Sequence, residues 1–226
     1  MNRRISQRQQ KQAPFSQTES ATDLGIKEKV AFVASGSKGL GKAVALELSR
    51  EGARVAICAG QHPELPAAVE KIHSLTGGEV IGIAADLGIS DQARDFIRKG
   101  LEHFGTVDIL VHNAAGPPDR TFPDVDEDLW NFTFSIELAP YNVTVNNICP
   151  ACAMTERVRK LYAEIADKRG ILPDDVVRIR QSRIPMGRLG KPEEIGAPAA
   201  FPASERAGFL TDDSIQMDGG WYRGVA

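Results

Sequence analysis

Seven residues, Ser35-Gly-Ser-Lys-Gly-Leu-Gly41, concentrate the chemistry this chain can do. Gly36, Gly39 and Gly41 carry no Cβ, so backbone N–H groups there can approach an anion closely. Ser35, Ser37 and Lys38 add polar donors. The group such a turn takes is a phosphate or pyrophosphate, with the free N–H groups and dipole of a following helix behind it. Other chemistries fit less well. Cys149-Pro-Ala-Cys152 spells C-x-x-C. Redox or metal work at that pair would want a helix N-terminus or a second ligand pair, so a structural role is the reading. His62, His73, His103 and His112 show no ligand spacing. Asp119, Arg120 and the acids Asp124, Asp126, Glu127 and Asp128 read as a solvated loop and the start of a helix rather than a metal site.

The flanking pattern says what positions the glycine turn. Val30-Ala-Phe-Val-Ala34 is a continuous apolar run of buried-strand type. From Leu40 the apolar spacing becomes helical through Val44, Leu46 and Leu48. Strand, glycine turn and helix are the layout of a dinucleotide-binding first βα unit. Alternation continues with strands at 54–59, 80–85, 107–112, 142–148 and 214–217. Helices are expected near 63–75 and 90–104, from a start near 124–128, and near 155–168, 173–180 and 192–203. Strands alternating with helices predict a doubly wound parallel α/β sheet covered on both faces.

Composition agrees with that class. The chain has 226 residues, 42% of them hydrophobic and 25% charged, with net charge −3, which suits one α/β domain over residues 23–226. No basic cluster in the body points to nucleic acid, and no apolar run reaches the ~20 residues of a membrane span. The odd count of three cysteines suggests a reducing, cytoplasmic setting. Residues 1–22 are rich in Gln, Ser and Arg, without periodicity or an acid before Glu19. They read as a disordered tail, with an organelle transit peptide as the alternative.

From Leu24 to Gly220 these motifs resemble the short-chain dehydrogenase/reductase family, whose members are NAD(P)-dependent oxidoreductases on a Rossmann-like sheet. Ala34 to Gly41 resembles the family's T-G-x-x-x-G-x-G, with Ser35 in place of the first glycine. Asp86-Leu87 resembles the adenine-side Asp motif, and His112-Asn113-Ala114-Ala115 resembles N-N-A-G. Pro150-Ala151 with Thr155 resembles the P-G motif and the threonine near the nicotinamide. The stretches 187–195 and 217–220 resemble the C-terminal signatures. The resemblance implies a cofactor site at Ser35, Ser37, Lys38, Gly39, Leu40, Gly41, Asp86, Leu87, Asn113, Ala114, Ala115, Pro150 and Thr155. NADP is favoured over NAD, because strand two ends Ala59-Gly-Gln61 without a carboxylate and Lys38 is placed for a 2′-phosphate. The implied substrate is a small carbonyl compound or alcohol.

The catalytic signature of the family, a Ser followed by Tyr-x-x-x-Lys, is missing. Tyr141, Tyr162 and Tyr222 have Val145, Ala166 and Ala226 at the fourth position after them. Trp130 to Ile136 resembles the start of the family's fifth helix, whereas Glu137 to Asn146 resembles the end of the next helix and the sixth strand. The resemblance therefore implies an internal deletion near Ile136 of roughly 50 to 60 residues, by ordinary element lengths. One strand and two half-helices would be gone, together with much of the surface through which members pair into oligomers. A merged helix from Asp126 to Ala139 is expected to carry the chain over, giving a six-stranded sheet in the order 3-2-1-4-6-7. Two functions stay open: an NADP-dependent oxidoreductase, or a nucleotide-binding pseudoenzyme or inactive fragment.

Overall fold

The computed structural model describes residues 23–60, 63–113 and 138–222. Its central element is a four-stranded parallel sheet of β1 (Val30–Val33), β2 (Arg54–Ala59), β3 (Val80–Ala84) and β4 (Ile109–Val111), ordered β3-β2-β1-β4. Helices α1 (Gly39–Arg50), α2 (Glu64–Thr76) and α3 (Ser90–Phe104) make the connections. After a 3₁₀ turn at Ala139–Tyr141 come β5 (Asn147–Pro150), α4 (Glu156–Arg169), α5 (Pro173–Gln181), α6 (Pro192–Ala200) and β6 (Ser214–Met217).

Period-2 geometry explains why β1 and β2 are apolar throughout, since each sends alternate side chains to opposite faces. Ala31, Val33, Val55 and Ile57 join Val44, Leu48, Leu65 and Ile72 of α1 and α2 on one side. Val30, Phe32, Ala56 and Cys58 meet Phe96 and Phe104 of α3 on the other. Close packing is visible at Gly100, where an added Cβ would overlap the Phe32 ring, and at Gly196 of α6, where it would lie 2.7 Å from the Ala43 backbone of α1. A third cluster, Tyr162, Ala166, Val176, Ile184 and Leu189, fastens α4 to α5.

The structure corrects the expected six-stranded order. Strand β5 pairs in parallel with β6, from Asn147 opposite Ser214 to Pro150 opposite Met217, and not with β4. The two strands form a separate sheet, and among the described residues the outer edge of β4 has no partner. The strand expected at 142–148 begins instead at Asn147, because Asn142 is left-handed (φ 57°) and its successors bond through side chains. Thr211 Oγ1 accepts from Val145 N at 3.1 Å, and Asn146 Nδ2 donates to Leu210 O at 2.8 Å. Strand β4 is shorter than expected because the Asp108 carboxylate turns inward to accept from Val30 N at 2.8 Å. Helix α6 ends at Ala200, not Ala203, just ahead of Pro202, which lacks an N–H. The tail 1–22, the helix start expected near 124–128, the merged helix up to 137 and the junction at Ile136 lie outside the described residues.

Candidate cofactor site

The glycine turn joins the C-terminal end of β1 to α1, and its backbone is anchored on both flanks. Ala34 N donates to Val111 O at 3.0 Å, and Gly36 N donates to Cys58 O at 2.9 Å. Ser35 is left-handed at φ 49°, the conformation a glycine would hold more readily. A side chain at Gly36 would run into Ile57 at 2.7 Å. Ser37 is buried, Lys38 is extended and exposed, and Gly39 is left-handed at φ 59°. No side chain caps the N-terminus of α1, which leaves its first-turn N–H groups facing outward with the positive end of the helix dipole.

Two contacts bring distant residues to this turn. Any Cβ at Gly41 would collide with Ser35 O and come within 2.6 Å of Asn113 Nδ2, while that amide reaches Ala34 O at 3.4 Å. From the other direction, Thr155 Cγ2 would lie 3.6 Å from a Cβ at Gly39. Thr155 caps α4, its hydroxyl accepting from Val158 N at 3.3 Å. The segment before it is held by Gly190, through Met154 N to Gly190 O at 2.8 Å and Gly190 N to Cys152 O at 3.0 Å. The result is a glycine-rich turn at the N-terminus of α1, with Asn113 packed against it from the end of β4 and Thr155 from the start of α4. Backbone of this kind at a helix N-terminus is suited to an anion, and the close approach of Ser35 O and Asn113 Nδ2 leaves no room for a side chain at Gly41.

Not every expected residue converges there. Asp86 closes β3, two strands from β1, where its carboxylate accepts from Gly88 N at 2.9 Å and its own N–H reaches Gln92 Oε1 at 2.7 Å. Leu87 leans on the α3-side core. Leu40 is half-buried on α1, and Pro150 ends β5 opposite Met217. Ala114 and Ala115 lie outside the described residues. The sequence reading missed Glu64. As the first residue of α2, its Oε2 sits 3.2 Å from Lys38 Nζ. An acid opening the helix after a strand that lacks a terminal carboxylate was the available signal.

The three tyrosines differ in their surroundings. Tyr162 is buried with its hydroxyl unbonded, and burial, then the neighbouring Cys152 thiol, pushes its pKa up to about 12. Tyr141 and Tyr222 are exposed. A depression of about 740 Å³ runs along α3 past Ala93, Ile97 and Leu101, away from the turn.

Comparison with known proteins agrees with this fold. Residues 29–138 match the short chain dehydrogenase family, and residues 133–222 match the enoyl-(acyl carrier protein) reductase family. The short-chain reductase protein NovJ of Streptomyces niveus is 26% identical over 263 residues, covering 91% of this chain and 98% of that protein. An L-rhamnose 1-dehydrogenase (NAD(P)(+)) of a Sphingomonas species is 28% identical over 249 residues, covering 87% of this chain and 97% of that one. Among solved structures, L-sorbose reductase from Gluconobacter frateurii, complexed with NADPH and L-sorbose, superposes with a TM-score of 0.82 at 22% identity. That match covers 90% of this chain and 100% of the other. With its parallel sheet, its glycine turn and both halves matched, the chain belongs to the short-chain dehydrogenase/reductase family of oxidoreductases.

Proposed function

We propose that this chain binds a nicotinamide dinucleotide, NADP in preference to NAD, and does not turn over the small carbonyl or alcohol substrates typical of its family. The observation that carries the binding half is the convergence of Asn113 and Thr155 on the glycine turn at Gly41 and Gly39. Ser35, Ser37, Lys38 and Leu40 complete the phosphate side. Asp86, Leu87, Ala114 and Ala115 would serve the adenosine side, and Pro150 with Thr155 the nicotinamide side. Lys38 and the carboxylate-free end of β2 support NADP, as does the NADPH held by the sorbose reductase neighbour.

The absence of turnover is argued from three tyrosines, none followed by a lysine at the fourth position. Among them, Tyr162 has a pKa raised rather than lowered, the wrong direction for an acid–base group at neutral pH. Alignment lengths support an internal deletion. Of the 263 positions aligned with the Streptomyces reductase, 91% of this 226-residue chain fills about 206, leaving about 57 without a residue of this chain. That is one strand with parts of two helices. We read residues 23–226 as a single domain in a reducing cytoplasm, with the family's pairing helices depleted.

Titration of NADPH fluorescence, followed by assay against a panel of alcohols and ketones, tests the proposal. Saturable binding without turnover is the expected result. Turnover of any panel member above the uncatalysed rate overturns the pseudoenzyme reading, and absence of NADPH binding overturns the cofactor reading.

A further inference from the structure

We infer that Glu64 is a specificity-determining residue that holds Lys38 away from a 2′-phosphate and so keeps the site open to NAD as well as NADP, an inference that rests on the cofactor reading above. Strands β1 and β2 are adjacent and parallel, Val33 lying opposite Ile57, so the turns that leave them are neighbours. Lys38 belongs to the first turn and Glu64 opens the helix after the second. Their ion pair, 3.2 Å between Nζ and Oε2, spans the gap between those turns at the C-terminal ends of the strands. In an open α/β dinucleotide site the adenosine ribose sits above that gap.

Both side chains remain reachable. Lys38 is 54% exposed and Glu64 is 47% exposed, so a ligand can take either partner from the other. Their charged neighbours alternate in sign. Glu156 of α4 lies within electrostatic reach of Lys38 and Arg159, and it is itself paired with Lys160 at 2.9 Å. Glu64 in turn acts on Lys160. Lys38 is therefore the basic group of the glycine turn, with a carboxylate on each side of it.

The two nucleotides meet this arrangement differently. A 2′-phosphate carries close to two negative charges at neutral pH, so it must displace Glu64 from Lys38 and then stand beside a second anion. A 2′-hydroxyl is both donor and acceptor, and it can bond the carboxylate and the ammonium without breaking the pair. Glu64 thus penalises NADP alone. The carboxylate that family members restricted to NAD carry at the end of strand two is supplied here from the start of the next helix, opposed by a lysine.

The test is parallel fluorescence titration of NADPH and NADH against the full chain and its Glu64→Gln and Glu64→Lys variants. Glu64→Gln tightens NADPH by about two- to fivefold, the range an exposed ion pair sets, and changes NADH by less than twofold. Glu64→Lys adds a second cation and raises the NADPH gain to about tenfold, and both gains shrink at 0.5 M salt as screening sets in. An unchanged NADPH-to-NADH ratio in both variants overturns the inference while leaving the cofactor site standing. Failure of the parent chain to bind either nucleotide overturns both together.

Discussion

Asn113 closes on Gly41: its side-chain nitrogen would lie 2.6 Å from a Cβ at that glycine, although β4 and α1 enter the turn from separate βα units. The amide also reaches back to Ala34 O at 3.4 Å, the last residue before the turn. One residue therefore bounds the glycine turn at both Ala34 and Gly41. Thr155 limits it from the opposite side, through its contact at Gly39.

Gly41→Ala tests that closure directly. The new methyl meets Ser35 O and Asn113 Nδ2, neither of which is the loose end of a long side chain. Destabilisation of about 1–3 kcal/mol in urea unfolding is expected, from overpacking of a fitted site. NADPH binding should weaken at least tenfold. A variant that binds as the parent does would show that Asn113 and the turn move apart freely.

Ser35→Gly goes the other way. Serine at φ 49° carries left-handed strain that glycine does not, set against the extra entropy glycine loses on folding. The net expectation is stabilisation of about 0.5–1 kcal/mol, seen as a rise in Tm of roughly 1–4 °C for a domain of this size.

Glu194 should govern part of the acid limb. Its carboxylate takes both Arg188 nitrogens at 2.7 Å and the Lys191 N–H at 2.8 Å, which hold its pKa at about 2 against an ordinary 4.5. A depressed acid contributes stability above pH 4.5 and loses it as pH falls toward 2. The pair is solvent-exposed, so the contribution stays within about 1 kcal/mol. Denaturation curves of Glu194→Gln should fall below the parent at pH 7 and converge with it at pH 2.

Tyr162→Phe addresses the opposite end of the scale. The phenol is buried and unbonded, with its pKa raised from 10 to about 12. Its contribution is complete below pH 10 and disappears as pH rises through 12, because ionising it in the α4–α5 core is unfavourable. Removing the hydroxyl should leave neutral-pH stability within about 1 kcal/mol of the parent, since the polar group beside it is the Cys152 thiol, a weak hydrogen-bonding partner. The alkaline limb between pH 10 and 12 should flatten.

The local elements were legible because their signals are local. Ser90–Phe104, Pro173–Gln181 and Ser214–Met217 lie where periodicity, proline and the αL glycine at Gly105 put them, to within a residue. The strand at 142–148 misled because Val143 and Val145 alternate as a strand would, while the left-handed Asn142 and the Thr211 and Asn146 side-chain bonds are tertiary facts. Sheet order failed for a related reason: β5 found its ladder in β6, some 65 residues later, and no local pattern encodes that choice. At the site, the glycines, Asn113 and Thr155 could be named from motifs. The Lys38–Glu64 pair could not, since it joins two turns that are neighbours only once β1 and β2 are side by side.

Gly196 against Ala43 sets a timetable for biosynthesis. The helix that starts at the glycine turn has one flank completed only by α6, more than 150 residues downstream. At ribosomal speeds of about 5–20 residues per second, that flank stays bare for roughly 8 to 30 s after α1 has emerged. Nascent chains stalled before Pro192 should therefore be cut by protease within α1, and those released past Ala200 should resist. The glycine turn thus precedes, by most of the described chain, the helix that completes the packing of α1.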